Sequence, residues 1–290
     1  MTVVLETIAA ARQWVRTERT GGKSIGFVPT MGAFHDGHRS LFRRAREQSD
    51  RVVVSIFVNP LQFGQGEDFA RYPRDFARDL ALAEREGVDA VFCPEAGEMY
   101  PDALPLTVHP GKLGKTLCGP SRPGHFRGVA TVVAKLLNII QPDRAFFGQK
   151  DAQQAVIIQW MVRGLNFPVE IEVCPTVREP DGLAMSSRNA YLDSEERANA
   201  TVLYRSLRRA EDLIRSGVRD VARIEQEMRD MIRSVPGAEL DYARVVDPHA
   251  LGDVKQIAGE VLVAVGARFG KTRLIDNLLA APPRAVTSGQ

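Results

Sequence analysis

Cysteine is scarce in this chain. Its 290 residues hold three, Cys93, Cys118 and Cys174, all far apart. No C-x-x-C pair exists, which excludes a zinc ribbon, and an odd number makes a poor disulfide framework. The expected state is reduced, mostly buried thiols in a cytoplasmic protein. Long apolar runs are missing as well. No stretch approaches ~18 consecutive apolar residues, so neither a spanning helix nor a membrane partner is expected. The first residues carry Glu6 and no basic start before an apolar run, so no secretory leader is expected. A surplus of charge is also absent. Lys plus Arg is 38 against 36 Asp plus Glu, a formal net charge of +2. That near-balance argues against a protein whose main task is neutralising nucleic-acid phosphates. It leaves room for a small anionic ligand held by a few local cations. Aromatic residues are few, 7%, but hydrophobic residues reach 44%, ordinary for a globular protein. A chain of this size can bury roughly 70–75% of its unfolded surface, as one large domain or two modest ones.

What is present is an alternation of helical and buried-strand patterns. Residues 5–19 place Leu5, Ile8, Ala9 and Val15 at helical spacing, and Gly21-Gly22 ends that pattern. Ser24 to Thr30 reads as a short buried strand, and Gly37 opens a helix through Leu41, Phe42 and Ala45. Arg51 to Val58 is a second strand, too apolar for a half-exposed sheet. Residues 75–86 read as helix, Ala90 to Cys93 as strand, 126–140 as helix, Arg144 to Phe147 as strand, Ala152 to Val162 as helix and Val169 to Val173 as strand. Such alternation predicts an α/β fold, a Rossmann-like doubly wound parallel sheet covered on both faces. The character changes after about residue 176. Glu195 to Ser234 is highly charged and reads as two helices broken near Gly217. Asp241 to Val246, Val261 to Gly266 and Thr272 to Ile275 read as strands. The expected domains are therefore 1–176, Rossmann-like, and 177–290, a smaller α+β domain. Residues 280–290 have the composition of a loose tail.

Four segments could carry chemistry. Pro29-Thr-Met31-Gly32-Ala33-Phe34-His35-Asp36-Gly37-His38 lies where the first buried strand ends and a helix begins, the edge where such sheets bind ligands. Gly37 lets a phosphate approach the backbone, and the helix aims its first amides at it. The imidazoles of His35 and His38 can donate to phosphoryl oxygens as charge develops. Both could instead be turn histidines with satisfied hydrogen bonds. Metal ligation lacks a third ligand at a recognisable spacing. Met185-Ser186-Ser187-Arg188-Asn189 offers hydroxyls and a guanidinium suited to polyphosphate, or a plain capping turn. Gly148-Gln149-Lys150-Asp151-Ala-Gln-Gln154 again follows a strand. Lys150 could neutralise a phosphate, and Asp151 could accept from ribose or merely cap a helix. In Phe57-Val-Asn59-Pro60-Leu-Gln62-Phe63 the amides of Asn59 and Gln62 can read hydroxyl and carboxylate groups, or satisfy a turn.

Two resemblances mislead. Gly266-Ala-Arg-Phe-Gly270-Lys271-Thr272 is one residue short of a P-loop, and strand rather than helix is expected after it. Arg39, Arg43, Arg44 and Arg46 form a basic helix stretch without interleaved aromatics, so a solvated face is the better reading than a nucleic-acid platform.

Taken in order, the segments resemble the pantoate–β-alanine ligase family. The carriers are Pro29 to His38, Ser55-Ile-Phe-Val-Asn-Pro-Leu-Gln-Phe63, Gly148 to Gln154, Met185 to Asn189 and Gly270-Lys-Thr-Arg-Leu-Ile-Asp-Asn277, which together run nearly the whole chain to about residue 278. The resemblance implies ATP-dependent condensation of (R)-pantoate with β-alanine through a pantoyl adenylate, releasing AMP and pyrophosphate. It also implies a C-terminal domain acting as a lid, a homodimer, and Mg2+ accompanying ATP. Site roles implied by it fall on matching positions. Met31 to His38 contacts ATP, with His38 the proton donor. Gly148, Gln149, Lys150 and Asp151 hold ribose and phosphates. Val177 lies on the adenine side, and Met185, Ser186, Ser187 and Arg188 meet the β- and γ-phosphates. Gln62 and Gln154 hold pantoate, with Gln62 also near β-alanine. Asp36 stands where many relatives show Glu, as does Gln149. Arg74 to Leu80 has fewer carboxylates than the acidic stretch tied to magnesium in some relatives, so no protein metal ligand is named.

The chemistry suits these residues without the family. Converting a carboxylate to an acyl adenylate needs in-line positioning and charge neutralisation more than a protein nucleophile. His35, His38, Lys150, Ser186, Ser187 and Arg188 can supply both. Another H-x-G-H nucleotidyltransferase would need a pocket without the paired glutamines. A catalytically silent nucleotide-binding regulator need not keep such a clamp.

Overall fold

The structure, a computed structural model, describes residues 1–102 and 106–283. The chain divides into two compact units. The first comprises Met1–Lys115, Arg122–Val177 and Met185–Ser187; the second comprises Thr116–Ser121, Arg178–Ala184 and the described residues from Arg188 on.

In the first unit the strands are β1 (Val3–Leu5), β2 (Ile25–Thr30), β3 (Arg51–Ile56), β4 (Ala90–Phe92), β5 (Arg144–Gly148) and β6 (Glu170–Cys174). They form one sheet in the order β1-β4-β3-β2-β5-β6, with every pair parallel. The helices are α1 (Ile8–Thr20), α2 (Asp36–Gln48), α3 (Phe76–Arg85), the single turn α4 (Ala96–Met99), α5 (His125–Ile140) and α6 (Ala152–Gly164). Val52, Val53 and Val54 are all buried, as are Ile25, Phe27 and Val28. Strands apolar on both sides need cover on both faces. Phe42 and Ala45 of α2 and Ala83 of α3 pack with Val28, Val52, Val54 and Val91 on one face. Phe27, one residue from Val28, points to the other. The expected doubly wound α/β sheet is therefore present.

The strand order matters for function. From β2 the chain proceeds outward through β3 and β4, then returns to add β5 and β6 on the other side. The reversal between β2 and β5 opens a crevice at their carboxyl ends, the usual ligand position in such sheets.

The second unit holds α7 (Ser194–Asn199), α8 (Val202–Arg215), α9 (Val221–Arg233) and an antiparallel sheet of β7 (Ala238–Val246), β8 (Val261–Phe269) and β9 (Thr272–Ala280). Leu203, Leu207, Ile214, Ile224 and Met228 cover Val263, Val265 and Ala267 of the central strand. A smaller α+β unit was the expectation, and this is one. Arg178 forks onto the buried Asp276 at 2.6 and 3.0 Å and lies 4.0 Å from the centre of the Tyr204 ring. Gly182, at φ +94°, leaves the space that this ring occupies: a Cβ there would meet it at 2.2 Å.

Several boundaries differ from the sequence reading. Leu5 belongs to β1, not to the first helix. Three residues are too few to show a strand period, and only pairing with β4 reveals it. Thr7, whose hydroxyl accepts from the Ala10 amide, starts α1 instead. The helix expected from Glu195 breaks at Ala200-Thr201, where the Thr201 hydroxyl bonds back to the Ala198 carbonyl. β8 runs past Gly266, because that glycine accommodates the Tyr242 ring rather than ending the strand. The P-loop lookalike is the β8–β9 hairpin, with Phe269 facing Thr272. Ala280, the first residue of the expected tail, closes β9; residues 284–290 lie outside the described residues. The basic stretch on α2 is an ion-paired face: Arg39 and Arg43 share Glu86, Arg44 meets Glu172, and Arg46 meets Asp89.

Candidate active site

The loop from β2 to α2 supplies the first wall. Gly32 and Ala33 adopt φ of +82° and +54°, conformations that cost an alanine of order 1 kcal/mol unless something holds them. Asp79 of α3 does so. Its carboxylate accepts from the amides of Ala33 at 2.7 Å and Phe34 at 2.8 Å. Burial pushes its pKa above the usual carboxylate value, against the downward pull of those two amides. Asp79 belongs to Arg74–Leu80, the segment with few carboxylates for a metal. Its carboxylate serves the loop instead, which no spacing rule reveals. Asp79→Asn replaces an acceptor of this pair with an amide donor. The variant is expected to lose about 1–3 kcal/mol of stability in chemical denaturation and to bind nucleotide more weakly. Unchanged values for both would contradict the bracing role.

His35 is the N-cap of α2. Its Nδ1 accepts from the Gly37 amide at 3.1 Å, and His38 Nδ1 accepts from the His35 amide at 3.3 Å. The two imidazoles thus form a reciprocal cap, a histidine version of the capping box. With each Nδ1 occupied as an acceptor, each neutral ring carries its proton on Nε2. The ring centres are 4.2 Å apart. Burial, then the Lys150 ammonium, lowers the His35 pKa to about 4. Burial, then His35 and Lys150, holds His38 well below its ordinary value. Both rings are therefore neutral donors at physiological pH. A Cβ at Gly37 would strike the His35 ring at 2.8 Å, so the glycine is required by the cap itself. Phe34 is buried and packs against His38 and Phe42. The Asp36 carboxylate pairs with Arg39 at 2.6 Å, which leaves its backbone as its contribution to the loop.

The other wall comes from β5 and the turn Gln149–Asp151 that leads into α6. Lys150 Nζ lies 3.8 Å from the Asp151 carboxylate. A Cβ at Gly148 would meet no described atom within 4 Å, so that glycine leaves space rather than relieving a clash. On α6, Gln153 is buried with its amide on the Leu113 carbonyl, while Gln154 is half-buried. Val177 and Met185 are joined by a backbone hydrogen bond of 3.0 Å, and the Met185 Cβ lies beside Gly37. Ser186 follows. The Ser187 hydroxyl is 3.3 Å from that of the buried Tyr72, a partner that the sequence did not announce. Arg188 opens the long C-terminal segment of the second unit.

The floor is the turn after β3. Gln62 Nε2 donates to Met31 Sδ at 3.1 Å, and its Oε1 accepts from Asn59 Nδ2 at 3.1 Å. Asn59 is only 1% exposed. Its Nδ2 also reaches the Gly128 carbonyl, and its Oδ1 accepts from Tyr100 and the Leu61 amide. Asn59 is committed within the protein and acts as a brace beneath Gln62. Thus β2, β3 and β5, distant in sequence, bring His35, His38, Gln62 and Lys150 to one sheet edge.

Comparison with known proteins places the chain in a family. The sequence profile of the family described as pantoate-beta-alanine ligase matches residues 3–279. A pantothenate synthetase from Syntrophomonas wolfei is 54% identical over 277 residues, covering 95% of this chain and 98% of its own. The crystal structure of pantothenate synthetase from Thermus thermophilus is similar with a TM-score of 0.91 and 46% identity, covering 96% of this chain and 99% of that one. A pantoate-beta-alanine ligase from Francisella tularensis, complexed with beta-gamma ATP and beta-alanine, is similar with a TM-score of 0.79 and 35% identity, covering 96% and 98%.

Proposed function

Because the chain belongs to the pantoate–β-alanine ligase family, we propose that the crevice at the carboxyl ends of β2 and β5 is where it activates pantoate. The enzyme condenses pantoate with β-alanine, consuming ATP and releasing AMP and pyrophosphate, by way of a pantoyl adenylate. The pantoate carboxylate attacks the α-phosphorus of ATP and pyrophosphate leaves. The amine of β-alanine then attacks the acyl carbon and displaces AMP. The intermediate is borne by the substrate, so no protein nucleophile is needed.

The observation that carries the site assignment is the pair of neutral imidazoles whose Nδ1 atoms are both occupied. Their Nε2–H groups are left for phosphoryl oxygens, with Lys150 supplying formal positive charge. We assign Met31 to His38 and Gly148 to Asp151 to ATP, the open side of Gly148 leaving room for a ligand. Val177 takes the adenine side, and Met185 to Arg188 take the outer phosphates. Gln62 and Gln154 take pantoate. Asn59 supports Gln62 instead of touching substrate. Among the described residues, no group of three or more His, Cys, Asp or Glu side chains could hold a metal. Magnesium is assigned to ATP itself, with phosphate and water as ligands. A homodimer in the cytoplasm belongs to the same reading. It is supported by the family resemblance; no described helix is long and apolar enough to cross a membrane.

Pyrophosphate release with ATP and pantoate, with and without β-alanine, tests the assignment of substrates. Release with pantoate alone, and pantothenate once β-alanine is added, is the expected result. Release with a nucleoside monophosphate but not with pantoate would instead indicate another H-x-G-H nucleotidyltransferase. Gln62→Ala is expected to raise KM for pantoate by about tenfold or more while leaving KM for ATP within about twofold, the mark of lost ground-state binding to one substrate. Equal losses for both substrates would count against its role.

A further inference from the structure

Gln62 is useful only if its main chain is held still, and the structure contains a chain of side chains that does this. Glu67 receives a two-pronged contact from Arg122, at 2.7 Å from Nε and 2.6 Å from Nη2. Arg122 Nη1 lies 2.9 Å from His125 Nε2. His125 Nδ1 lies 2.7 Å from the Gln62 carbonyl oxygen. The proton positions follow from the chemistry. A guanidinium can only donate, so His125 Nε2 must accept; the ring's one proton is then on Nδ1 and is donated to Gln62. Protonating the ring would set an N–H against the guanidinium. Burial and the Arg122 charge accordingly lower the His125 pKa to about 4, against the opposing influence of the Gln62 hydrogen bond, Glu67 and Asp151. Glu67 is itself held to about 2: Arg122 outweighs the cost of its burial.

The surroundings point the same way. His125 is the first residue of α5, entered through Gly124 at φ +82°. One turn later, Gly128 lets the Leu61 carbonyl lie against the helix, where a Cβ would sit 2.2 Å from that oxygen. The turn bearing Gln62 is thus gripped by Asn59 from its own side and by α5 from the other. Glu67, Arg122, His125 and Gly128 make these contacts with one another and with the turn, whose link to the β2–α2 loop is the Gln62 side chain on Met31 Sδ.

We propose that His125, oriented by Arg122 and Glu67, is a positioning residue for pantoate recognition, fixing the main chain at Gln62 so that its side-chain amide faces the substrate. The proposal rests on the assignment of Gln62 to pantoate, and it separates this group from the nucleotide half of the site. Loss of the chain should therefore act on one substrate only.

The test compares His125→Ala, His125→Asn and Gln62→Ala in the full-length enzyme, with KM for pantoate and for ATP and the thermal midpoint read for each. His125→Ala should raise KM for pantoate about tenfold or more and leave KM for ATP within about twofold, since small misplacements of a binding group are costly. Asparagine places an amide nitrogen near the position of Nδ1 and should recover most of the pantoate loss, which a general packing defect would not allow. A rise in both KM values, an unchanged KM for pantoate, or no advantage of Asn over Ala would overturn the proposal. If His125→Ala does not fold, Glu67→Gln, which weakens the grip on Arg122, should show the same selective rise; a rise in both or in neither overturns it. Gln62→Ala distinguishes the two levels. If it is not selective for pantoate, the site assignment fails. If it is selective and His125→Ala is silent, the positioning chain alone fails.

Discussion

Replacing His38 by alanine is expected to lower kcat by on the order of 10²-fold, the usual loss for one preorganised donor to developing charge. The ring has two jobs. Its Nδ1 closes the cap on the His35 amide, and its Nε2–H is the group we assign to the phosphoryl oxygens. The two can be separated. Asparagine offers an acceptor near the position of Nδ1 and nothing at Nε2. His38→Asn should therefore recover the stability lost in His38→Ala while remaining about as slow. Steady-state turnover and the thermal midpoint measure both. An unchanged kcat in either variant would refute the assigned role.

Lys150→Met should be at least as damaging, about 10²–10³-fold in kcat, because it removes the formal charge we assign to the triphosphate. It carries a second signature. Lys150 is, after burial, the main cause of the depressed His35 pKa, so the variant should titrate His35 at higher pH. Burial remains, so the value should stay below 6.5. The consequence for stability has a definite sign. The unfolded chain binds a proton at His35 below pH 6.5, whereas the folded chain does so only near pH 4. The unfolded state therefore holds more protons between these limits, and stability falls as pH drops from 6.5 toward 4. His125 adds to the same window. In Lys150→Met the His35 part of this window narrows from its acid end. The thermal midpoint should then fall less between about pH 6.5 and about pH 4.5 than in the unsubstituted enzyme. NMR titration of the His35 ring checks the pKa directly, and an unmoved value would place Lys150 too far away to matter.

Much of the candidate site was legible before the fold. H-x-G-H after a buried strand, the Gly148 to Gln154 turn and the Asn59 to Gln62 turn are local patterns, and local patterns survive in one dimension. The role of Asn59 was not legible. An amide that binds substrate and an amide that braces its neighbour look alike until burial and partners are known. Asp79 was harder still. It lies 46 positions from Ala33, and its value depends on an α3 that carries it under the nucleotide loop. The chain Glu67–Arg122–His125 spans segments 55 residues apart and has no periodic signal.

The sequence by itself determined the alternation of buried strands and helices, the near-neutral charge that excludes a general polyanion binder, and the histidine pair with its glycine. These depend on side-chain type and on the repeat lengths of helix and strand. Only the tertiary structure decided which histidine nitrogens are left to donate, why both rings are neutral, which side of Gln62 is held, and that β2 and β5 meet at the reversal of strand order. Each of those depends on distances and burial between residues that the chain itself keeps far apart. The small net charge becomes a matter of placement: Lys150 counts because the sheet sets it beside two neutral imidazoles.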